Sequence, residues 1–380
     1  MPRPNWATID LKDERQRRRI LFFVIGGLVE ILIVLLVGYR FIEYTETPEF
    51  CGLTCHKVMS PEYTAYKKGF HARVTCGRCH IGPGASWAVK AKIDGIPLIF
   101  ATILNTYERP IPSPVEKLRP ARETCEQCHW PQKFSGDLIR TFPRFLDDEK
   151  NTDRSNTWVL RVGGGEGAAA RDIHWHTTAA VWYVALDEKR QDIAWVGVEE
   201  GDGQMREYAD ASAAGKISPE AMSGKRLMDC IDCHNRATHN FRSPDNLIDQ
   251  ALHQGRIDTT LPFIKKKGLE ALTAPTVEEA EGRIEELRTF YQNSYPAVYS
   301  QKSATLERAI GQFKEFARLT IFPDMKTTST THKNNLGHTD SPGCFRCHGK
   351  LTAASGPQQG PPIIAGCTTC HYPWTATRPQ

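Results

Sequence analysis

The sequence predicts a single N-terminal transmembrane helix, then a mostly α-helical and looped chain with a small β-rich insert and little apolar core of its own. Three observations predict it. All twelve cysteines fall into six pairs, each followed at once by a histidine. One run of twenty predominantly apolar residues stands near the N-terminus. Between 147 and 210 the texture changes to alternating β-branched and aromatic segments without cysteine.

The cysteine pairs carry the chemistry. Five read C-x-x-C-H: Cys76, Cys79 and His80; Cys125, Cys128 and His129; Cys230, Cys233 and His234; Cys344, Cys347 and His348; Cys367, Cys370 and His371. Two thiols one helical turn apart can each add to a vinyl group on one porphyrin edge, while the next histidine turns its imidazole under the iron, so the pattern is the attachment signature of haem c. The first pair, Cys51, Cys55 and His56, has one more residue between its thiols and closes over the same edge with a wider loop. Zinc knuckles also use paired cysteines, but they do not demand a histidine after every second one. A disulfide framework gains nothing from that histidine. The fold class is therefore a multihaem cytochrome c holding six haems. A length of 380 residues would ordinarily suggest two or three domains. Here the even spread of sites argues for one chain wrapped around a haem array, and 24 prolines with 29 glycines suit such a loop-rich wrapper.

The apolar run, Ile20 to Tyr39, would as a helix span about 30 Å, the thickness of a bilayer core. Arg15, Arg17, Arg18 and Arg19 precede it, and Phe41, Ile42, Glu43 and Tyr44 follow, so the positive-inside rule puts the N-terminus in the cytoplasm and the haem sites in the periplasm of a bacterial inner membrane. No small-residue cleavage site follows, which reads as an uncleaved signal anchor. Glu30 sits mid-helix, either as a tolerated protonated acid or as a contact with a second membrane subunit or proton route. A net charge of +4 with scattered Lys and Arg gives no reason to expect nucleic acid.

The chain then divides into a cytoplasmic tail (1–19), the anchor (20–41), a region with haem sites one to three (42–150), the β-rich insert (151–210), haem site four (211–256), helical packing (257–322) and haem sites five and six (323–380). A polar linker with Pro48 leads into the first site, followed by Met59, a candidate axial ligand, and His71, a distal ligand for another haem. After a Gly-Pro turn, 81–100 reads as an amphipathic helix carrying Trp87, Lys90, Lys92 and Asp94. A cation and a carboxylate beside the first haem and the membrane are what a quinol pocket needs, though a solvated charged face has the same pattern. Pro110, Pro112, Pro114 and Pro120 form an extended connector. Strands are expected at Trp158 to Val162, Ala180 to Leu186 and Ile193 to Val198, with His174 and His176 ahead of the second as distal-ligand candidates. His239 follows the fourth site. Ser243 and Pro244 then open a helix, Thr276 to Glu279 forms a capping box for a second through about Asn293, and a third runs from Ser303 to about Thr320 with Leu306, Ile310, Phe313 and Phe316 or Ala317 on one face. His332 and His338 stand in the loops before the last sites. Six motif histidines leave His71, His174, His176, His239, His253, His332 and His338, enough to close five irons if Met59 serves the first.

The run FCGLTCHKVMSPEYTAY followed by HARVTCGRCHIGPGASWAVK, after a short tail and one anchor helix, resembles the NapC/NirT family of membrane-anchored multihaem cytochromes. HTDSPGCFRCHGK is similar to a segment of its longer six- or seven-haem members, and the likeness covers most of the chain. The resemblance implies electron transfer from menaquinol or ubiquinol to a periplasmic cytochrome or reductase, in anaerobic or extracellular respiration. It implies that the methionine after the first motif ligates the first haem, and that a lysine and an aspartate after the second motif form the quinol site. Met59, Lys90 or Lys92, and Asp94 would match. The wider first motif, the later Met59 and the Lys-to-Asp spacing depart from the short four-haem members. Two rival readings are a relay subunit of a larger membrane complex that never binds quinol, and a catalytic multihaem reductase. The reductase needs an open iron, for which no C-x-x-C-K variant is present.

Overall fold

The computed structural model describes residues 12–54, 56–115, 118–130, 134, 136–165, 170–200, 203–213, 215–354 and 360–375. Cys55 lies outside the described residues, and so do the side chains of His56 and Lys57. A chain in lipid must satisfy every backbone polar group internally, and a helix does so. Helix α1 runs Glu14–Thr45, 32 residues against the twenty of the apolar run, with the Asp13 side chain capping its first turn from Arg15 N at 2.9 Å. No residue of α1 is buried by the rest of the chain, as an anchor surrounded by lipid requires.

A π-helical turn at Phe50–Thr54 carries Cys51 and passes into α2, His56–Lys67. Gly52 is pressed against the Tyr63 ring, where a Cβ has no room. The second motif is itself the short helix α3, Cys76–His80, and α4 follows at Ala85–Ile103. Helix α5, Arg122–Cys125, opens the third motif.

The β-structure is wider than the expected 151–210. Strands β1 (Leu138–Phe142) and β2 (Asn156–Leu160) pair antiparallel, with Ile139 opposite Val159. After the one-turn α6 (Trp175–Thr178) come β3 (Val181–Ala185), β4 (Ile193–Glu199) and β5 (Met205–Ala209), an antiparallel meander. Beyond α7 (Pro219–Ser223), the two-residue β6 (Arg226–Leu227) joins β3, and β7 (Thr352–Ala353) joins β5. Val181, Tyr183, Ile193, Val196 and Leu351 fill the core of this five-stranded sheet.

The fourth motif is α8, Cys230–Cys233. The helical region that follows holds the largest apolar core: α9 (Pro244–His253), α10 (Ile264–Ala271), α11 (Val277–Ser294) and α12 (Pro296–Thr320). The expected N-caps form, with Ser243 Oγ accepting from Asn246 N and Thr276 Oγ1 from Glu279 N, each at 3.2 Å; at Thr276 this is the N-cap half of the expected capping box. Ile248, Ile264, Ile284, Tyr291, Leu306, Phe313 and Phe316 are fully buried together. Two points differ from the sequence reading. Helix α10 was not expected, and α12 begins at Pro296 and kinks at Lys302, whose φ of −124° and ψ of 23° are not helical. The last motif forms α13, Cys367–Cys370, and β8 (His371–Pro373) pairs with β2 to complete a three-stranded sheet.

Candidate haem centres and the membrane-side pocket

Each of the five C-x-x-C-H motifs folds as one tight turn because cysteines three apart share a helix face. The turn is closed by its own histidine: His129 N donates to Cys125 O at 2.8 Å, His234 N to Cys230 O at 2.8 Å, and His348 N to Cys344 O at 3.0 Å. The fifth motif makes the turn as a 3₁₀ segment, Gly343–Arg346.

Five motif histidines each face a second histidine from elsewhere in the chain. Ring centres lie 6.1 Å apart for His80 and His239, 6.1 Å for His129 and His71, and 6.4 Å for His234 and His174. For His348 and His176 the separation is 5.7 Å, and for His371 and His338 it is 6.1 Å. Metal–imidazole bonds are about 2 Å long, so two rings on opposite sides of one ion stand about 6 Å apart. The spacing therefore fits an iron between each pair. Several rings are fixed at Nδ1: His71 meets Ala237 O at 3.3 Å, His239 meets Glu62 O at 3.1 Å, His176 meets Ile173 O at 2.8 Å and His348 meets Ile364 O at 2.6 Å. Such bonds set the tautomer that leaves Nε2 to a metal. Burial holds His80, His174, His176, His234 and His371 below the ordinary imidazole range and pushes His239 down to about 4, favouring the neutral ring that coordinates metal.

Zinc and disulfides fit poorly. Among the described residues no three His, Cys, Asp or Glu side chains converge as a metal cluster, and none of the eleven described cysteines is in a disulfide. Instead the thiols follow one another in chain order. Cys51 with Cys76 and Cys125 with Cys230 lie close enough for their thiols to interact, and Cys79 lies within electrostatic range of Cys125 and Cys128, Cys233 of Cys344 and Cys347, and Cys370 of Cys344.

His332 faces no motif histidine among the described residues; its ring lies 5.9 Å from Phe241. Met59 lies half-buried on α2, three residues beyond His56. Lys90, Lys92 and Asp94 all stand exposed on α4, but a helix turns about 100° per residue, so Lys92 points away from the other two. Lys92 Nζ donates to Thr45 Oγ1 at 2.9 Å, tying α4 to the C-terminal end of α1. The Cys51 thiol, held down to about 7 mainly by its bond to Cys76, also feels Lys92 and Glu46 with opposite sign. Lys90 instead lies 4.9 Å over the Trp87 ring, which Arg119 also covers at 5.2 Å. Beyond them Ile93, Ile96, Leu98, Ile99, Phe100 and Ile103 leave α4 with an exposed apolar length.

Sequence reasoning missed Glu46 and Asp232. Asp232, inside the fourth motif, accepts from Tyr183 Oη at 2.7 Å and from Asp229 N at 2.7 Å, with Arg226 and Arg190 at 3.4 and 3.5 Å. The only signal for it was an acidic residue between two attachment cysteines.

Paired thiols that each lead into a histidine, and a second histidine set opposite at the span of one iron, are the working parts of a c-type cytochrome. Repeated along a chain that hangs from an apolar helix, they define a membrane-anchored multihaem cytochrome of electron transport. Residues 13–112 match the NapC/NirT cytochrome c family, N-terminal region. Over 373 residues, 97% of this chain and 73% of the relative, the sequence is 41% identical to the cytochrome c-type protein ImcH of Geobacter sulfurreducens. It is also 31% identical over 100 residues, 25% of each chain, to the cytochrome c-type protein TorC of Escherichia coli strain K12. The chain belongs to the NapC/NirT cytochrome c family. No solved structure matches it.

Proposed function

We propose that this protein oxidises membrane quinol, menaquinol or ubiquinol, and delivers the electrons to a periplasmic cytochrome or reductase. Haem c, when bound, supplies one-electron centres; six are expected, one at each thiol pair. His80 with His239, His129 with His71, His234 with His174, His348 with His176 and His371 with His338 would hold five of them, and His56 with Met59 the first. The arginines in the first turns of α1, ahead of its apolar run, keep the N-terminus in the cytoplasm and the attachment sites in the periplasm.

The observation that carries the quinol reading is the position of Lys92. Its ammonium is fixed at 2.9 Å from Thr45, where the anchor helix ends, beside Cys51 and on a helix whose apolar residues are exposed. A lipid-borne head group reaching this boundary meets a cationic donor for its oxygen. Quinol must shed two protons as it loses two electrons, and Glu46 beside Cys51 is a carboxylate placed to take one. Lys90 and Asp94 share the other face of α4 and are the weaker pair. The experiment is reduction of detergent-purified protein by a menaquinol analogue, with Lys92→Ala, Glu46→Gln, Lys90→Ala and Asp94→Ala compared. Loss of at least tenfold in Lys92→Ala, a transition-state loss of about 1.4 kcal/mol, is the expected result. Unchanged rates in all four would move the pocket elsewhere.

A second reading, a relay subunit of a membrane complex, draws on Glu30. It is exposed in the span of α1 and meets no partner of its own chain among the described residues. Reduction by a copurified membrane dehydrogenase but not by quinol would favour it.

A further inference from the structure

The segment after the fourth thiol pair carries more buried positive charge than its surroundings balance. Arg236 is half-buried, and its buried Nε and Nη2 meet no hydrogen-bond partner among the described residues. Its Nη1 reaches Ser113 Oγ only at 3.5 Å, and the guanidinium lies 4.7 Å over the Phe241 ring. Thr238 Oγ1 and Arg242 Nη2, from the same segment, are buried and unpartnered too. Lys189 adds to the positive side, and burial together with Arg236 and Lys189 pushes the His332 ring down to about 4, so it stays neutral. The carboxylate in reach is Glu62, which burial pushes up while Arg236 draws it down, and its Oε2 is also unpartnered. Arg242 Nε is met by Asn246 Oδ1 at 3.0 Å, but one carboxylate cannot satisfy the remaining open donors of two guanidinium groups and a hydroxyl, and desolvated N–H groups without acceptors are unfavourable.

The backbone of this same segment sets two facing histidines. Ala237 O takes His71 Nδ1, and His239 itself bonds Glu62 O and stands opposite His80. Of the open donors, those of Arg236 lie within electrostatic range of His239, the ring that faces His80. What belongs there is an anion with paired oxygens, because a guanidinium fork matches a carboxylate bidentately. Haem c brings two carboxylates of its own. We propose that Arg236, Thr238 and Arg242 receive the propionate carboxylates of the haem held between His80 and His239. This rests on haem attachment and is independent of the quinol reading.

A guanidinium beside the macrocycle disfavours the extra positive charge of ferric iron, so it raises that haem's reduction potential. The test is spectropotentiometric titration of the fully haem-loaded protein, with electron paramagnetic resonance and resonance Raman spectra, for Arg236→Gln, Arg236→Lys, Arg242→Gln and Thr238→Val. In Arg236→Gln one low-spin haem should move to lower potential and the propionate bending bands should shift, with covalent haem content unchanged. Arg236→Lys should restore part of the potential. If Arg236→Gln does not accumulate, Arg242→Gln and Thr238→Val carry the same readouts. Wild-type potentials and wild-type propionate bands in every variant that accumulates with full haem content would overturn the assignment. A potential that shifts without any change in those bands would also overturn it, since the charge would then act without contact.

Discussion

Replacing Asp232 with alanine should loosen the fourth attachment site without touching a cysteine or a histidine. The carboxylate is 4% exposed and serves four donors: the Tyr183 hydroxyl and the Asp229 amide, each at 2.7 Å, and Arg226 and Arg190 at 3.4 and 3.5 Å. A hydrogen bond to a charged group contributes about 1.5–3 kcal/mol, and the hydroxyl and amide would be left buried. The two guanidinium groups are 35% and 27% exposed and rehydrate in part, so each adds about 0–1 kcal/mol. Allowing for non-additivity, the loss comes to about 3–5 kcal/mol. Asp232→Asn keeps an oxygen for Tyr183 and should cost about 1–2 kcal/mol. Hydrogen exchange followed by mass spectrometry on the peptides covering 181–185 and 226–234 reads this directly. Since each 1.4 kcal/mol is tenfold, exchange in the alanine variant should rise on the order of 10²–10³-fold. Exchange within about threefold of the wild type, or an asparagine variant as damaging as the alanine one, would refute the reasoning.

Lys265 is buried, donating to Asp249 Oδ1 and Phe145 O, both at 2.6 Å, and pairing with the exposed Asp245 at 2.8 Å; Asp249→Ala should therefore cost about 3 kcal/mol by denaturant unfolding, the low end for a broken buried pair because Asp245 remains, whereas the double variant Asp249→Leu with Lys265→Met should recover most of it. Gly268 packs against the Phe313 ring with no space for a Cβ, so Gly268→Ala should lower stability by about 1–3 kcal/mol through overpacking, despite its better helix propensity. Lys68 bonds Glu315 at 2.7 Å and holds its carboxyl below the usual range. A lowered folded pKa gives stability that is present above the unfolded value and lost as pH falls through the folded one. The α2 to α12 contact should therefore weaken below about pH 4, by less than about 1 kcal/mol because the pair is partly exposed, and Lys68→Met should flatten that part of the denaturant-midpoint profile.

What the sequence made legible was chemistry with a fixed local spacing. A thiol pair and its histidine occupy one turn, so all six motifs could be read, and Ser243 and Thr276 announced α9 and α11 because a cap bonds within three residues. Contacts set by the fold were not legible. Nothing local tells that His176 belongs opposite His348 while His174, two residues earlier, belongs opposite His234. Helix α10 hides behind Lys265, Lys266 and Lys267, a run that reads as solvated, and tertiary partners, Asp249, Asp245 and Phe145 O, allow the first of them inside. Strands of two or three residues such as β6, β7 and β8 carry no period of their own and exist only through their neighbours. Lys92 and Asp94 looked like one pocket by proximity in sequence, and the turn of α4 separates them.

The three-stranded sheet carries a consequence for how the chain matures. Its central strand, β2, is made before half of the chain has been synthesised, yet one of its two edges waits for His371, Tyr372 and Pro373, close to the C-terminus. Until those residues emerge, Val159 and Leu160 have no partner on that side. A nascent or truncated chain ending ahead of residue 371 would present an unpaired strand edge, open to stray association. Quality control that removes such chains would act only after the residues up to 371 have been made.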